Sequence, residues 1–236
     1  MFGEGGPSFL ELMKQALSST EHGYDLLATK FDVTPFRTPD EVVGRSLEEL
    51  GELDAALDVC TGTGAALPFL HTMTKRRLVG LDFSEGMLGV AQSRMKDRGE
   101  PPSLELVRGD ALALEYDAEF DLVTCYGALG HVVEADMPRF LGGIAKSLRP
   151  GGRFVFVTSD MPPRLSRERI VARTFNGVMR IRNAIVRPPF IMYYLTFMLP
   201  DIARVLTFYG FDVRIDEGWF PEPHERLKRV VATRRG

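Results

Sequence analysis

The sequence predicts an α/β protein: a mostly parallel sheet of seven strands with helices on both faces. Three observations lead there. From Ala55 onward, short apolar runs alternate with helical segments. The first run, ALDVCTGTGAAL (Ala56 to Leu67), passes through an acid into a turn of small residues that opens a helix. Two apolar runs near the C-terminus are joined by a connection too short for a helical crossover, so they must pair antiparallel.

The elements follow in order. Phe9, Leu10, Met13 and Leu17 recur at helical spacing, and a second amphipathic stretch runs from about Glu41 to Leu50. Between them KFDVTPFRTP, with its two prolines, reads as a bent loop. Strands are expected at 55–60, 76–82, 103–110, 120–127 and 153–159, and helices start near Gly64, Ser84 and Asp136. LRPGG (148–152) reads as a helix end, its glycines supplying left-handed residues. LPDIARVLTFYG reads as a helix stopped by Gly210, followed by the strands FDVRIDEG and RLKRVVATRR. The chain thus divides into an N-terminal helical segment (1–50), a sheet domain (51–159 with 200–236) and an inserted segment (160–199).

Composition narrows the function. Of the 236 residues 44% are hydrophobic and 26% charged, as in an ordinary soluble globular protein. A net charge of −3 argues against general nucleic-acid binding, which needs a basic excess. Cys60 and Cys125 both fall in apolar, strand-like stretches and read as buried thiols in a reducing compartment, with no metal site expected. The N-terminus shows no basic segment followed by an apolar core. The longest apolar run, Pro188 to Pro200, is about half of what a membrane-spanning helix requires. These features point to a cytoplasmic protein without stable membrane insertion.

The chemistry concentrates at strand ends, where open α/β sheets bind ligands. Gly62 and Gly64 permit close approach of backbone to a ligand, but Ala65 and Ala66 stand where a dinucleotide loop would place its third glycine. Asp82 closes the next strand about twenty residues on, where a carboxylate can accept both ribose hydroxyls, and Phe83 can lie against a flat base. Asp110 brings a second carboxylate to the same edge, able to take the exocyclic amine of adenine. Taken alone, Asp82 and Asp110 also fit as helix caps or turn residues.

ALDVCTGTG, LVGLDFSEGML, LVRGDALAL, FDLVTCYGALGHV and LRPGGRFVFV resemble the successive motifs of class I S-adenosylmethionine-dependent methyltransferases. The first two are especially similar to the ubiquinone/menaquinone biosynthesis group, where a cysteine also occupies the first glycine position. The resemblance spans roughly residues 24–160 and continues through the antiparallel end, which typifies the seven-stranded Rossmann-like methyltransferase sheet. It implies S-adenosylmethionine as cofactor and methyl transfer to a small-molecule acceptor. Asp58, Gly62 and Gly64 would lie at the cofactor's amino-acid end, Asp82 at the ribose, and Phe83 and Met87 against adenine. Asp110 and the Ala111 N–H would meet the adenine amine side, and Tyr126 would sit beside the sulfonium. Tyr24, Phe31 and Thr34 would close over the cofactor.

The sequence also departs from that group. Leu129-Gly130-His131 replaces the arginine-asparagine pair usual in the quinone-pathway enzymes, which removes the support for a quinone substrate. His131 is the candidate general base, or else a hydrogen-bonded histidine at a helix start; His22 lies near the N-terminal segment, and His71 and His224 read as surface residues. In 160–199, Arg169, Arg173, Arg180 and Arg187 form a stripe opposite Val171, Phe175, Val178 and Ile185. The aromatic run FIMYYLTFML follows, with Tyr193 and Tyr194 as candidate acceptor-binding residues. Three readings of this insert stay open: a lid helix with a buried segment, a pocket for an apolar or anionic small molecule, and a membrane-surface contact. Rival functions are an NAD(P)-binding oxidoreductase, disfavoured by the two-glycine turn, and a non-catalytic cofactor-binding regulatory protein. A homo-oligomer is compatible with the sequence.

Overall fold

A computed structural model describes residues 5–236, so the first four residues of the expected 1–50 segment lie outside the described residues. Its strands are β1 (Leu53–Val59), β2 (Thr74–Asp82), β3 (Ser103–Arg108), β4 (Phe120–Thr124), β5 (Leu148–Thr158), β6 (Phe211–Asp216) and β7 (Lys228–Arg234). They form one seven-stranded sheet in the order 3-2-1-4-5-7-6. The first five are parallel, and β7 pairs antiparallel with both β5 and β6. The order reverses between β1 and β4, so the crevice at their carboxyl ends is where a ligand belongs.

Side chains alternate across the pleat. Leu57, Val59, Phe154, Phe156, Val230 and Ala232 face one buried cluster, while Ala56, Val155 and Val231 face the other. Helices α6 (Met137–Ser147) and α8 (Asp201–Phe208) cover the first face through Phe140, Leu141, Ile144, Ile202 and Leu206. Helices α3 (Asp40–Leu47), α4 (Leu67–Met73) and α5 (Glu85–Met95) cover the second through Val43, Leu47, Leu67, Leu70, Ala91 and Met95. Burial of both faces explains why the central strands read as continuous apolar runs.

The structure corrects two local expectations. Residues 148–152 belong to β5, not to a helix end: α6 already stops at Ser147, and Gly151 (φ +77°) sits where the β4–β5 register shifts between Phe120 and Leu122. The glycines supply a strand irregularity, which uses the same left-handed freedom as a helix stop. The N-terminal segment also contains one more helix than expected. After α1 (Phe9–Leu17) come α2 (Thr20–Leu27) and a 3-10 turn (Ala28–Val33). The signal was present in Ser19, whose side chain accepts from the His22 N–H as an N-cap.

The insert forms α7 (Arg167–Ile185), capped by Ser166, and then an extended stretch. Phe175 turns inward, whereas Val171, Val178 and Ile185, expected beside it, are exposed. No helix among the described residues is long and apolar enough to cross a membrane.

Candidate active site

The site grows from the turn after β1. Cys60 (φ +55°), Gly62 (φ +55°) and Gly64 (φ +77°) all take left-handed backbone, a conformation that costs a non-glycine residue about 1–2 kcal/mol. The turn is pinned by Thr61 N–H to the Leu81 carbonyl at 2.9 Å and Gly64 N–H to the Thr61 carbonyl at 2.9 Å. The two glycines divide the work. A Cβ on Gly62 would meet nothing nearer than 4.0 Å, so this position borders open space. A Cβ on Gly64 would stand 3.0 Å from the Ala91 Cβ, so Gly64 serves the close packing of α5 against the turn.

Two buried carboxylates form the floor. Asp58 accepts from the Thr61 and Thr124 hydroxyls, each at 2.6 Å. Burial pushes its pKa up to about 6, against the pull of those two hydrogen bonds and with the nearby Asp82 adding to the rise. Asp82 accepts from the Gly62 N–H at 2.8 Å and the Ser84 N–H at 2.9 Å, and burial raises its pKa too. Among the described residues neither acid forms an ion pair, and two desolvated acids so placed favour a positively charged ligand.

The N-terminal segment closes over this floor through defined bonds. Asp25 accepts from the Ser84 hydroxyl at 2.6 Å and from the Gly86 N–H at 3.0 Å, at the start of α5. Asp32 accepts from the Thr63 hydroxyl at 2.6 Å and pairs with Arg94 and Arg37. The resulting cavity is lined by Asp58, Gly62, Asp82, Phe83, Met87 and Tyr126 from the sheet domain. Tyr24, Phe31, Phe36 and Thr38 line it from the N-terminal segment.

Of the cofactor residues singled out in the sequence, Thr34, Gly64, Asp110 and Ala111 are not among that lining. Asp110 is exposed and accepts from the Leu112 N–H at 2.8 Å, as a turn residue does. Thr34 is buried with its hydroxyl on the Phe31 carbonyl. Tyr126 reaches the cavity and exchanges a 2.6 Å hydrogen bond with Ser46. Phe36, Arg37 and Thr38 escaped notice because KFDVTPFRTP has no periodicity to read; its prolines mark a bend but not what the bend faces.

His131 lies in a short 3-10 turn (Leu129–His131) beyond β4 and lines the same cavity. Its Nδ1 donates to the Ile191 carbonyl, which can only accept, so Nε2 carries the lone pair and takes the Tyr24 hydroxyl at 2.7 Å. Burial lowers the His131 pKa and raises that of Tyr24, so both are neutral at pH 7. The insert is latched here. Tyr193 N–H bonds the Gly130 carbonyl at 2.8 Å, and a Cβ on Gly130 would stand 2.8 Å from the Tyr193 carbonyl oxygen. His22, His71 and His224 line neither this cavity nor its neighbour.

A second cavity of about 310 Å³ shares Tyr24, Phe31 and Phe36 with the first. Leu12 and Ala16 of α1, Phe175 and Met179 of α7, and Phe190, Met192 and Tyr194 of the extended stretch add to its mostly apolar wall, with Gln15 as a polar member. Tyr194 therefore lines a cavity. Tyr193 does not: its hydroxyl receives the Asn183 side-chain N–H at 3.2 Å, and Arg180 lies over its ring.

A seven-stranded sheet of this topology, with two acids at adjacent strand ends under a glycine turn, defines a Rossmann-like methyltransferase domain. Comparison with known proteins agrees: a family described as "Methyltransferase domain" matches residues 56–152. The demethylmenaquinone methyltransferase of Thermus thermophilus is 31% identical over 169 residues, 68% of this chain and 75% of that protein. The demethylmenaquinone methyltransferase of Lactococcus lactis is 29% identical over 157 residues, and the matched part spans 60% of its length. Among solved structures, the DhpI–SAH complex aligns over 97% of this chain and 99% of that one, with a TM-score of 0.65 and 19% identity. The chain belongs to the class I S-adenosylmethionine-dependent methyltransferases.

Proposed function

We propose that this protein transfers the methyl group of S-adenosylmethionine to a small apolar acceptor held in the second cavity. The observation that carries the reading is the meeting of the two cavities at Tyr24, Phe31 and Phe36. One cavity has an acidic floor, and the other is almost entirely apolar.

The residues of the first cavity fit the cofactor. Asp58 offers negative charge to its ammonium and sulfonium, Asp82 offers its remaining lone pairs to the ribose, and Phe83 and Met87 supply an apolar wall for adenine. Bound there, the cofactor supplies a methyl carbon whose bond to sulfur breaks as the acceptor attacks in line. The chain's part is alignment and exclusion of water, with 5–50 and 160–199 acting as the covering segments. The named activity of the Thermus and Lactococcus relatives supports an apolar acceptor class, while Leu129-Gly130-His131 in place of the arginine-asparagine pair argues against the quinone itself.

Where the acceptor carries a proton, Tyr24 and His131 provide its route. The acceptor's proton passes to the Tyr24 oxygen as the Tyr24 proton passes to His131 Nε2, and the Ile191 carbonyl holds the ring in the required tautomer. The two free thiols fit a reducing compartment. Thermal unfolding with S-adenosylmethionine, S-adenosylhomocysteine, NAD and NADP tests the cofactor. The sulfonium donor and its product should stabilise by mass action, about 2.7 kcal/mol at a hundred times Kd. A screen of apolar acceptors with labelled methyl donor tests the reaction. A response to NAD and none to S-adenosylmethionine or S-adenosylhomocysteine overturns the reading.

A further inference from the structure

We propose that α1 and α7 form a surface that docks on an anionic lipid bilayer, a function beyond methyl transfer and independent of it. The two helices are neighbours: Arg182 on α7 donates to the carbonyls of Ala16 and Ser18, both at 2.9 Å, at the end of α1. Each helix turns an apolar side to the outside. On α7, Ile170, Val171, Val178, Ile181 and Ile185 are between 54% and 76% exposed. At helical spacing they fall in one arc of about 100°, directed away from the inward-facing Phe175 and Met179. On α1, Phe9, Leu10 and Leu17 are 63%, 69% and 56% exposed. A soluble protein rarely leaves so many large aliphatic side chains uncovered along two adjacent helices.

Charge identifies the occupant. Residues 164–187 carry seven arginines and one glutamate, in a chain whose total charge is −3. Arg173 and Arg180 are exposed along one border of the apolar arc, and Arg187 lies beyond its C-terminal end. Among the described residues none of the seven forms an ion pair. A second copy seated on this face would bring arginines against arginines, which like-charge repulsion opposes. An acyl–headgroup boundary of negative potential suits both features at once: aliphatic side chains enter the boundary, and arginines reach the phosphates along their own apolar stems. The apolar second cavity lies between the same two helices, so docking would set it against the phase in which apolar acceptors dissolve.

Sedimentation of the full chain with vesicles tests this, using phosphatidylcholine alone and phosphatidylcholine mixed with phosphatidylglycerol. The expected result is binding to the mixed vesicles only, weakening as salt approaches 1 M. The triple variant R173Q/R180Q/R187Q should lower the partition about 100-fold, near five-fold per arginine. The pair V178S/I181S keeps every charge and should also lower it, while keeping the wild-type melting temperature because both changed side chains are exposed. Failure to bind mixed vesicles at low salt overturns the proposal, as does binding that both variants leave unchanged. A dimer in light scattering that V178S/I181S dissociates assigns the face to a second copy and also overturns it.

Discussion

Asp58 offers the sharpest test of the acidic floor. Its pKa moves from 3.8 to about 6 because the carboxylate is buried, a rise equivalent to about 3 kcal/mol between its two protonation states. The native state therefore holds this proton over a range, roughly pH 4 to 6, in which the unfolded chain has released it. The stability so gained is present at low pH and is lost as pH rises through the folded value. Substituting Asp58→Asn removes the titration. Unfolding in urea at pH 4, 5, 6 and 7 should show the wild type losing up to about 3 kcal/mol relative to Asp58→Asn across this window. Taking the difference between the two proteins cancels the contribution of Glu105 and Asp121, whose lowered pKa values slope the other way.

The same substitution tests the charge of the ligand. A cation bound against Asp58 requires the ionised form, so wild-type affinity for S-adenosylmethionine, whose ammonium and sulfonium are both cationic, should fall by up to tenfold per pH unit below about 6. Asp58→Asn should bind more weakly at pH 7 and lose that slope. Calorimetric titration at several pH values measures both. A difference in unfolding free energy independent of pH, together with parallel affinity profiles, would refute the reasoning, because neither result is compatible with a titrating Asp58 beneath a cationic ligand.

Asp82→Ala should weaken cofactor binding by about 1.5–3 kcal/mol, and it should also cost stability, since the Gly62 and Ser84 N–H groups lose their acceptor; an unchanged dissociation constant in a folded variant contradicts the ribose assignment. Tyr24→Phe keeps the ring contacts with Phe31, Phe83 and Phe190 but cuts the proton route, so kcat for a protic acceptor should drop by roughly 10²–10⁴ with cofactor affinity retained; equal kcat removes the relay. Gly130→Ala forces the Tyr193 carbonyl away from a 2.8 Å clash, and should cost about 1–3 kcal/mol while raising the acceptor KM more than the cofactor Kd. Arg229 is fully buried, bonded to Asp216 at 2.6 Å and stacked 3.5 Å from the Trp219 ring; Asp216→Asn leaves that charge without its carboxylate and should cost about 3–5 kcal/mol in urea unfolding.

The sheet was legible because the inner parts of β1, β2 and β4 are buried and carry short apolar runs (55–57, 78–81 and 122–123), and because acids and glycines fall at or just beyond their ends. Periodicity said less about glycines. Gly62, Gly64 and Gly151 all adopt positive φ, yet one borders a cavity, one admits α5 and one bends a strand; sequence reveals the conformation and not the neighbour. The same limit applied to α7. Its spacing separated arginines from aliphatics, but which aliphatics face inward depended on α1, which contributes Leu12 and Ala16 to the shared wall. Tyr193 and Tyr194 are adjacent in sequence and therefore point to different surroundings, so a pair chosen for aromatic character was divided by the backbone into a cavity residue and a packing residue.

Leu129-Gly130-His131 and the inserted segment are tied together by hydrogen bonds. The Leu129 carbonyl receives the Thr196 hydroxyl at 3.1 Å, the Gly130 carbonyl the Tyr193 N–H, and His131 binds the Ile191 carbonyl. Any side chain at 130 would hold Tyr193 off, and any other residue at 131 would leave both Ile191 and Tyr24 without this partner. Residues 129–131 thus replace side-chain chemistry at the end of β4 with a socket for backbone from outside the sheet. The family match, 56–152, covers the strands that carry the cofactor-facing acids and stops before the insert. The proposed cofactor end of the site is consequently held by sheet geometry inside that match. The proposed acceptor end lies where two segments outside that match, 20–38 and 190–196, close on His131.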